Sequence, residues 1–425
     1  MQNYPDKYYN LLLIDIRTKG LEAHIIEWLN LSVRWIHMIT GIAWIGASFY
    51  FNFLENSLNR TVNLREELAG NLWAVHGGGF YYLEKYKHSP KTIPKDLHWF
   101  KWEAYFTLLS GLTLLAVVYY YNASIYMIDP SVSSISASQS VAIGISTLIV
   151  SWIVYDLMCK SALVKNMKVF ALLGFILLVA LAYGLSQFLS ARAAYIHIGA
   201  LIGTIMVLNV FFVIIPSQKS MVNSAIKGEL GDPTLGKKAL MRSIHNNYMT
   251  LPVLFIMISN HFPSTFGHEN SWLVLSALIL VGVSVRHWFN LKGKGIKNHW
   301  LLPFSLILFV AVIVYTKPKI SHTITNNTTS NVTENTKAIT DLQVMEMFEK
   351  HCISCHSNKP TSPIFSVAPK GMMFDDFESL KTHAKIIKAQ VVYAPIMPLG
   401  NTTKMTDSER QDLGRWLDQL DLVDD

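Results

Sequence analysis

The residues best suited to chemistry lie near the C-terminus, in the run Cys352-Ile353-Ser354-Cys355-His356. Cys-x-x-Cys-His is the attachment sequence of a c-type haem. The two thiols add to the haem vinyl groups, and His356 lies beneath the iron as an axial ligand. A zinc half-site and a redox dithiol are the other interpretations. Zinc would need a second pair of soft ligands, but the third cysteine, Cys159, lies far away in an apolar stretch. A dithiol does not require the histidine.

A second iron ligand is predicted in Met397-Pro398-Leu399-Gly400-Asn401, which begins 41 residues after His356. Small c-type cytochromes carry such a Met-Pro loop on the far side of the haem. A thioether is a neutral ligand that raises the iron potential. We favour Met397 because the adjacent proline stiffens the loop. The alternative ligands are Met372, Met373 and Met405. Methionine often fills gaps in a core, so the presence of one does not by itself indicate an iron ligand.

The residues around these two motifs predict a small class I-like cytochrome c domain over 341–425. An amphipathic helix runs into the haem motif, and a second helix begins at Thr406 with Glu409 as its capping-box partner. We expect Trp416 to pack rather than to catalyse. The apolar positions of the first helix are Leu342, Met345, Met347 and Phe348. Those of the second are Leu413, Trp416, Leu417 and Leu420.

The rest of the chain has the composition of a membrane protein. Of its 425 residues 51% are hydrophobic and 15% are charged, and mean hydropathy is +0.29. The apolar residues gather in segments of about twenty, the length that spans a bilayer core. Eight spans are predicted, at 28–54, 101–122, 138–156, 169–189, 193–216, 249–263, 271–290 and 299–316.

The loops between these segments predict the orientation. Four alternate loops, at 55–100, 157–168, 217–248 and 291–298, carry 17 Lys and Arg residues, whereas those at 123–137, 190–192 and 264–270 carry one. By the positive-inside rule the first set is cytoplasmic, so both termini lie outside. The net charge of +7 is then an anchor at the inner leaflet, and no nucleic-acid partner is predicted.

These patterns predict an all-α chain with three parts. Residues 1–318 form a polytopic eight-helix transmembrane bundle with catalytic function, 319–340 a polar linker, and 341–425 the cytochrome c domain. Residues 1–27 carry too much charge to span and predict an interfacial helix. No cleavable signal peptide is predicted.

Two histidines inside the predicted bundle belong to a short repeat. Trp35-Ile36-His37 recurs as Tyr195-Ile196-His197, four spans later, which suggests two four-helix halves in parallel orientation. Intramembrane ionisable residues are functional candidates. His37 and His197 either hold a haem b, lie beside a substrate together with His261, or simply form hydrogen bonds with neighbouring helices.

A second group of polar residues is predicted on the cytoplasmic side. His76 precedes three glycines, which allow close approach of a ligand or helix. His98 and Glu103 lead into the second span, and His245 and Asn247 into the sixth. Aromatic belts explain most of the Trp and Tyr nearby. The amides and imidazoles are better explained by a flat, polar heterocycle as ligand.

At these residues the chain resembles the membrane-bound urate hydroxylases, a bacterial family with eight spans and a C-terminal cytochrome c. The resemblance rests on WAVHGGGFY (73–81), LHWFKWEAYFTLLSG (97–111), HNNYMTLPVLFIMISNHFP (245–263), CISCH and MPLGN. It implies oxidation of urate, or a related purine, towards 5-hydroxyisourate, with electrons passing to the haem. The resemblance does not identify which residues are catalytic.

The implied chemistry needs a base and an electron acceptor. His98 or His245 would take the proton, with Glu103 orienting either. Another cytochrome or a terminal oxidase would reoxidise the haem, at the bacterial inner membrane with the cytochrome domain in the periplasm. Two rival functions are a respiratory electron-transfer subunit, quinol- or cytochrome-linked without a purine substrate, and a metal permease or metalloreductase.

Overall fold

The computed structural model of the protein describes residues 6–90, 92–317, 339–365 and 367–421. Most of the chain is helical, in a long N-terminal series and a shorter C-terminal one. The N-terminal series consists of α1 (Asp6–Ser57), α2 (Trp102–Leu114), α3 (Ala123–Tyr126), α4 (Ala137–Lys160), α5 (Met167–Ser186), α6 (Ala191–Asn209), α7 (Ile215–Ile226), α8 (Pro233–Ser259), α9 (Pro263–Phe266), α10 (Ser271–Gly293) and α11 (Leu301–Tyr315). The C-terminal series consists of α12 (Asp341–His351), α13 (Phe377–Thr382), α14 (Ala384–Ile387) and α15 (Asp407–Asp421).

Short segments of other helix types extend or connect these helices. The π-helical segments are Leu115–Tyr120 after α2, Val210–Ile214 between α6 and α7, and Lys388–Tyr393 after α14. The 3₁₀ segments are Ala162–Lys165, Pro369–Gly371 and Leu399–Asn401.

Polar residues before the apolar runs determine where several helices begin. The Ser136 hydroxyl accepts a hydrogen bond from the Gln139 backbone amide, and the Gln139 side-chain oxygen accepts one from the Ser136 amide, which is a capping box at the start of α4. Asn166 and Ser190 cap α5 and α6, and Asp232 caps α8 with a proline at the first helical position. These caps satisfy amide groups that a helix end leaves without a partner.

Five helical segments of the described residues are long and apolar enough to cross a membrane, which is compatible with a membrane protein. They are Trp102–Tyr120, Ala137–Lys160, Met167–Ser186, Ala191–Ile226 and Ser271–Gly293. The other three predicted spans also fall in helices, α1, α8 and the shorter apolar α11. The count of eight spans, and the division into two halves, stay predictions.

The helix α6 lies at the centre of these packed helices. Its residues Tyr195, Ile198 and Leu201 are buried, and it contacts α4, α5 and α8. The Tyr195 hydroxyl donates to the backbone oxygens of Thr265 and Ser271, at 2.9 and 2.6 Å, which ties α6 to the segments around α9 and α10. The long apolar run of this segment is therefore a core helix as well as a candidate span.

The helix predicted at the N-terminus continues into the first predicted span. Residues 6–57 form one unbroken helix, α1, and an interfacial position for its first part stays a prediction. The prediction of an all-α chain is wrong in detail, since β1 (Leu68–His76) pairs antiparallel with β2 (Gly79–Tyr86). Gly77 and Gly78 have positive φ and form the two-residue turn of this hairpin. The glycines serve the turn, and the space around both is open.

The C-terminal unit, residues 339–421 without Ser366, has its own apolar core. Val344 and Phe348 of α12 pack with Leu413, Trp416 and Leu417 of α15. Leu342, predicted on the apolar stripe of α12, is instead 71% exposed, and Val344 takes its place in the core. The predicted linker lies almost wholly in 318–338, outside the described residues.

This C-terminal unit packs against one end of the N-terminal helices. Gly400 lies so close to α3 that a Cβ there would stand 2.3 Å from the Ile125 backbone oxygen. Gly267, which follows α9, is similarly close to Ala394. The loops at 123–137, 190–192 and 264–270 lie at this end, and we call it the outer end, as their charge predicts. Glycine at both contacts lets the two backbones approach.

We predict that Gly400→Ala loosens this contact. The new Cβ would collide with the Ile125 backbone, and the amides of residues 123–128 should exchange hydrogen for deuterium faster. Gly371→Ala is the matched control, because Gly371 also has positive φ but has no neighbour within 4 Å. Both variants carry backbone strain of about 1–2 kcal/mol. Equal exchange at residues 123–128 in the two variants would contradict the contact.

Candidate functional site

The two thiols and the imidazole of the C-terminal motif lie at the edge of the C-terminal core. Cys352 and Cys355 are free thiols. The Nδ1 atom of His356 lies 2.9 Å from the Met372 backbone oxygen. The His356 ring stacks on Phe374, with 5.0 Å between the ring centroids. Nδ1 donates in this contact, so Nε2 is the nitrogen left with a lone pair. The motif therefore presents two sulfurs and one basic nitrogen.

Burial changes the acid–base chemistry of this motif. Desolvation raises the pKa of the Cys352 thiol to about 12, and the neighbouring Cys355 shifts it in the same direction. Desolvation also lowers the pKa of His356, against the opposing effect of its hydrogen bond to Met372. His356 is thus held neutral, the form in which imidazole binds a metal.

The Met397 loop belongs to the same core. Met397 packs on the cluster that also contains Cys352. The buried Arg410 donates to the backbone oxygens of Met397 and Val391, at 2.5 and 2.7 Å, and the Met397–Pro398 peptide is cis. Asn401 exchanges two hydrogen bonds with the Met405 backbone. The backbone around Met397 is therefore fixed by residues that the sequence did not single out, and Met372 and Met405, the alternative ligands, belong to the same cluster.

A network of hydrogen bonds around Glu409 holds α12, the helix before the Cys-x-x-Cys-His motif, against α15. The Glu409 carboxylate accepts from Lys350 and from the Thr406 hydroxyl and amide, and His351 lies 3.3 Å away. Burial opposes ionisation, but these hydrogen bonds outweigh it and lower the pKa of Glu409 to about 2. The capping box predicted at Thr406 is confirmed.

The predicted intramembrane histidines each bind a neighbouring helix. His37 Nδ1 lies 3.0 Å from the Ser110 hydroxyl and 3.1 Å from the Thr107 oxygen of α2. His197 is fully buried; its Nδ1 contacts the Ala193 oxygen at 2.8 Å, and Nε2 lies 3.2 Å from the Tyr120 hydroxyl. A Cβ on Gly144 would stand 2.5 Å from His197 Nε2. Both ring nitrogens of His197 therefore contact neighbouring groups, as the hydrogen-bonding alternative expects, and a haem b shared by the two histidines stays a prediction.

A buried polar network connects α4, α6 and α8, and the sequence revealed only one of its members. The Tyr155 hydroxyl lies 2.9 Å from His245 Nδ1 and accepts a hydrogen bond from Asn209 at 3.0 Å. Arg242 donates to Asn209 and, at 2.6 Å, to Asp156. His245 stacks on Phe170, and its buried Nε2 has no hydrogen-bond partner among the described residues.

The other residues predicted to be catalytic lie apart from this network. Asn247, two positions from His245, instead binds Asn290 and Arg286. His76 lies exposed at the end of β1, and His98 lies exposed against Phe100. Glu103 is half-buried in the first turn of α2. Within the described ranges no hydrogen bond, ion pair or ring contact joins His76, His98 or Glu103 to His245, and the catalytic role of all five stays a prediction.

Aromatic side chains line the route from His197 to the C-terminal unit. The Tyr119 ring meets the His197 ring edge-on, with 6.4 Å between the ring centroids. The centroids of the Tyr119 and Tyr126 rings are 5.7 Å apart. Burial raises the pKa of Tyr126, Arg192 opposes this, and Cys355 is close enough to raise it further. Tyr126, at the end of α3, therefore interacts electrostatically with the Cys-x-x-Cys-His motif.

Comparison with known proteins settles the family of the N-terminal part. The family described as Urate oxidase N-terminal matches residues 23–317, more than half of the chain. The protein belongs to this family. The match includes His37, His197 and the whole network around His245, and it ends before the C-terminal unit. Searches of the curated proteins and of the solved structures gave no match.

The ion pair in the buried network generates a stability prediction. Asp156→Asn leaves the Arg242 guanidinium, 3% exposed, without its carboxylate, which should cost about 3–5 kcal/mol. Lys160→Gln is the control, because Lys160 binds the same carboxylate from a side chain 69% exposed and should contribute less than about 1 kcal/mol. Thermal unfolding in detergent measures both. Equal melting temperatures would show that Arg242 needs no partner.

Glu409 generates a pH prediction. Its pKa falls from 4.5 to about 2 on folding, so the carboxylate stabilises the fold fully above about pH 5, and this contribution is lost as pH falls towards 2. Glu409→Gln should lower the stability of the C-terminal unit by about 1–2 kcal/mol at pH 7. The difference from the wild type should shrink by pH 3.

Differential scanning calorimetry of the full chain between pH 3 and pH 7 measures this difference. Glu378→Gln is the control, since Glu378 is largely exposed and pairs only with Lys381 of its own helix. A deficit in Glu409→Gln that stays the same at every pH would contradict the assigned role of the carboxylate.

Proposed function

We propose that this protein is a membrane-bound oxidoreductase that oxidises urate towards 5-hydroxyisourate and passes the electrons to its own c-type haem. One observation carries the proposal. A chain whose residues 23–317 belong to the Urate oxidase N-terminal family continues into a packed unit with two thiols, a neutral imidazole and a thioether at one core. The family supports a urate-related oxidoreductase, and the C-terminal unit supports the electron acceptor.

The donor atoms of the C-terminal unit fit a covalent haem. Cys352 and Cys355 would hold the haem covalently, and His356 and Met397 would bind its iron. The Met372 oxygen fixes the His356 ring by its Nδ1 proton and leaves Nε2 for the iron. Arg410 fixes the backbone of Met397. Bound there, the haem supplies a one-electron acceptor whose potential the methionine raises.

The reaction balances without peroxide. Uric acid and one water give 5-hydroxyisourate, two protons and two electrons. Because a single haem takes one electron at a time, each turnover needs two transfers and two reoxidations. We propose another cytochrome or a terminal oxidase as the partner that reoxidises the haem.

We also propose that the chain lies in the bacterial inner membrane with the C-terminal unit on the periplasmic side. The C-terminal unit packs on the outer end, where the three adjoining loops carry a single basic residue. Haem c is attached outside the cytoplasm, so this orientation also suits the Cys-x-x-Cys-His motif.

Urate-driven reduction tests the proposal most simply. Purified holoprotein, oxidised and free of oxygen, should develop the spectrum of reduced haem c when urate is added, with two haems reduced for each urate consumed. A Cys352→Ser, Cys355→Ser variant should retain neither covalent haem nor urate-dependent electron release.

The rival functions predict different spectra. Reduction by a quinol but not by urate would favour a respiratory electron-transfer subunit. Reduction of added metal ions without any response to urate would favour a metalloreductase. Either result would overturn the proposed substrate.

A further inference from the structure

A partly open cavity lies where the C-terminal unit meets the outer end of the N-terminal helices. Its volume is about 540 Å³, within the range of small-molecule sites, roughly 300–1,000 Å³. The N-terminal helices contribute Tyr126, Arg192 and Phe266 to its lining. The C-terminal unit contributes Pro395, Ile396, Pro398, Leu399, Gly400 and Arg410. We call it the junction cavity. Sites between two packed units are common positions for ligands.

Arg192 is the unusual residue of this cavity. It is the single Lys or Arg in the loops at 123–137, 190–192 and 264–270. Its guanidinium lies over the ring of the buried Phe266, 5.3 Å from the centroid. Within the described ranges no carboxylate forms an ion pair with it. A half-buried cation held by an aromatic face, with no anion of its own, is available to a ligand.

The rest of the lining suits a ligand with both donors and acceptors. The charged or titratable side chains that line the cavity are Asp129, Arg192, Glu269, His268, Asp407 and Arg410. Such a mixture does not favour a simple anion such as phosphate. A purine anion has carbonyl oxygens and a negative charge for the guanidinium, and ring N–H groups for carboxylate or carbonyl oxygens. Phe266 and Tyr126 add flat apolar surface.

The cavity is also next to the haem motif without being part of it. Tyr126 lines the cavity and interacts electrostatically with Cys355. The cavity wall includes Pro398, the neighbour of Met397, but none of Cys352, Cys355, His356 and Met397 is among the described residues that line it. A ligand here would lie one loop away from the proposed electron acceptor.

We propose that the junction cavity binds the purine substrate as a planar anion, with Arg192 receiving its negative charge. This inference rests on the proposed function for the identity of the ligand. It places the substrate at the outer end, away from the buried network around His245. Electrons then need to cross only the junction between the two units, instead of the thickness of the helices.

Equilibrium binding to the reduced protein tests the cavity separately from catalysis. Holoprotein is reduced with dithionite without oxygen, so that it cannot accept electrons, and is dialysed against urate. Arg192→Gln should weaken urate binding roughly tenfold or more, because a charged hydrogen bond is lost. Arg192→Lys, which keeps the charge but not the planar fork, should lie between Arg192→Gln and the wild type.

Arg415→Gln is the matched control, since Arg415 lies on α15, is exposed, and pairs with Asp412 of the same helix. It should bind urate as the wild type does. Gln187→Trp gives a second test that does not depend on charge. Gln187 is an exposed residue that lines the cavity, so the indole should fill part of the space and weaken binding. Size-exclusion elution and the visible spectrum check that each variant is folded.

The results separate this inference from the proposed function. Wild-type binding in both Arg192→Gln and Gln187→Trp overturns the cavity, whether or not urate reduces the haem. Loss of binding in His245→Gln alone would place the purine at the buried network and also overturn it. If urate binds the reduced protein in an Arg192-dependent way but never reduces the oxidised haem, the cavity stands and the proposed function fails.

Discussion

The contact between the C-terminal unit and the outer end determines what the rest of the structure can do. Electron transfer becomes slow over long distances, so the proposed haem is useful only if its unit stays close to the place where substrate is oxidised. Gly400 against Ile125 and Gly267 against Ala394 let two backbones meet there without intervening side chains. The aromatic residues Tyr119 and Tyr126 fill the adjoining space.

The two polar centres of the N-terminal part differ in what they offer a ligand. The network of Asp156, Arg242, Asn209 and Tyr155 satisfies itself, except for one nitrogen of His245. Such a network holds three helices in one arrangement. The junction cavity combines free volume with an arginine that no described carboxylate neutralises. This contrast is the physical reason for placing the purine at the outer end.

Local sequence patterns predicted local structure well. The capping box at Thr406 and Glu409 and the helical segments each depend on spacings of a few residues. The hairpin at 68–86 was missed because three glycines allow either a tight turn or close ligand approach, and only the paired strands decide between them. Leu342 was misplaced because α12 presents Val344 instead to α15, a partner more than sixty residues away. Arg242, Asp156 and Arg192 gave no local signal, since their partners lie on other helices.

The central claim is that electrons pass from urate to haem within one chain. Pre-steady-state mixing tests it most directly. Oxidised monomeric protein is mixed with saturating urate without oxygen, and the rate constant of haem reduction is recorded over a wide range of protein concentration. Electron transfer within one chain predicts a rate constant that does not depend on protein concentration. A rate constant proportional to protein concentration, or no reduction at all, would contradict it.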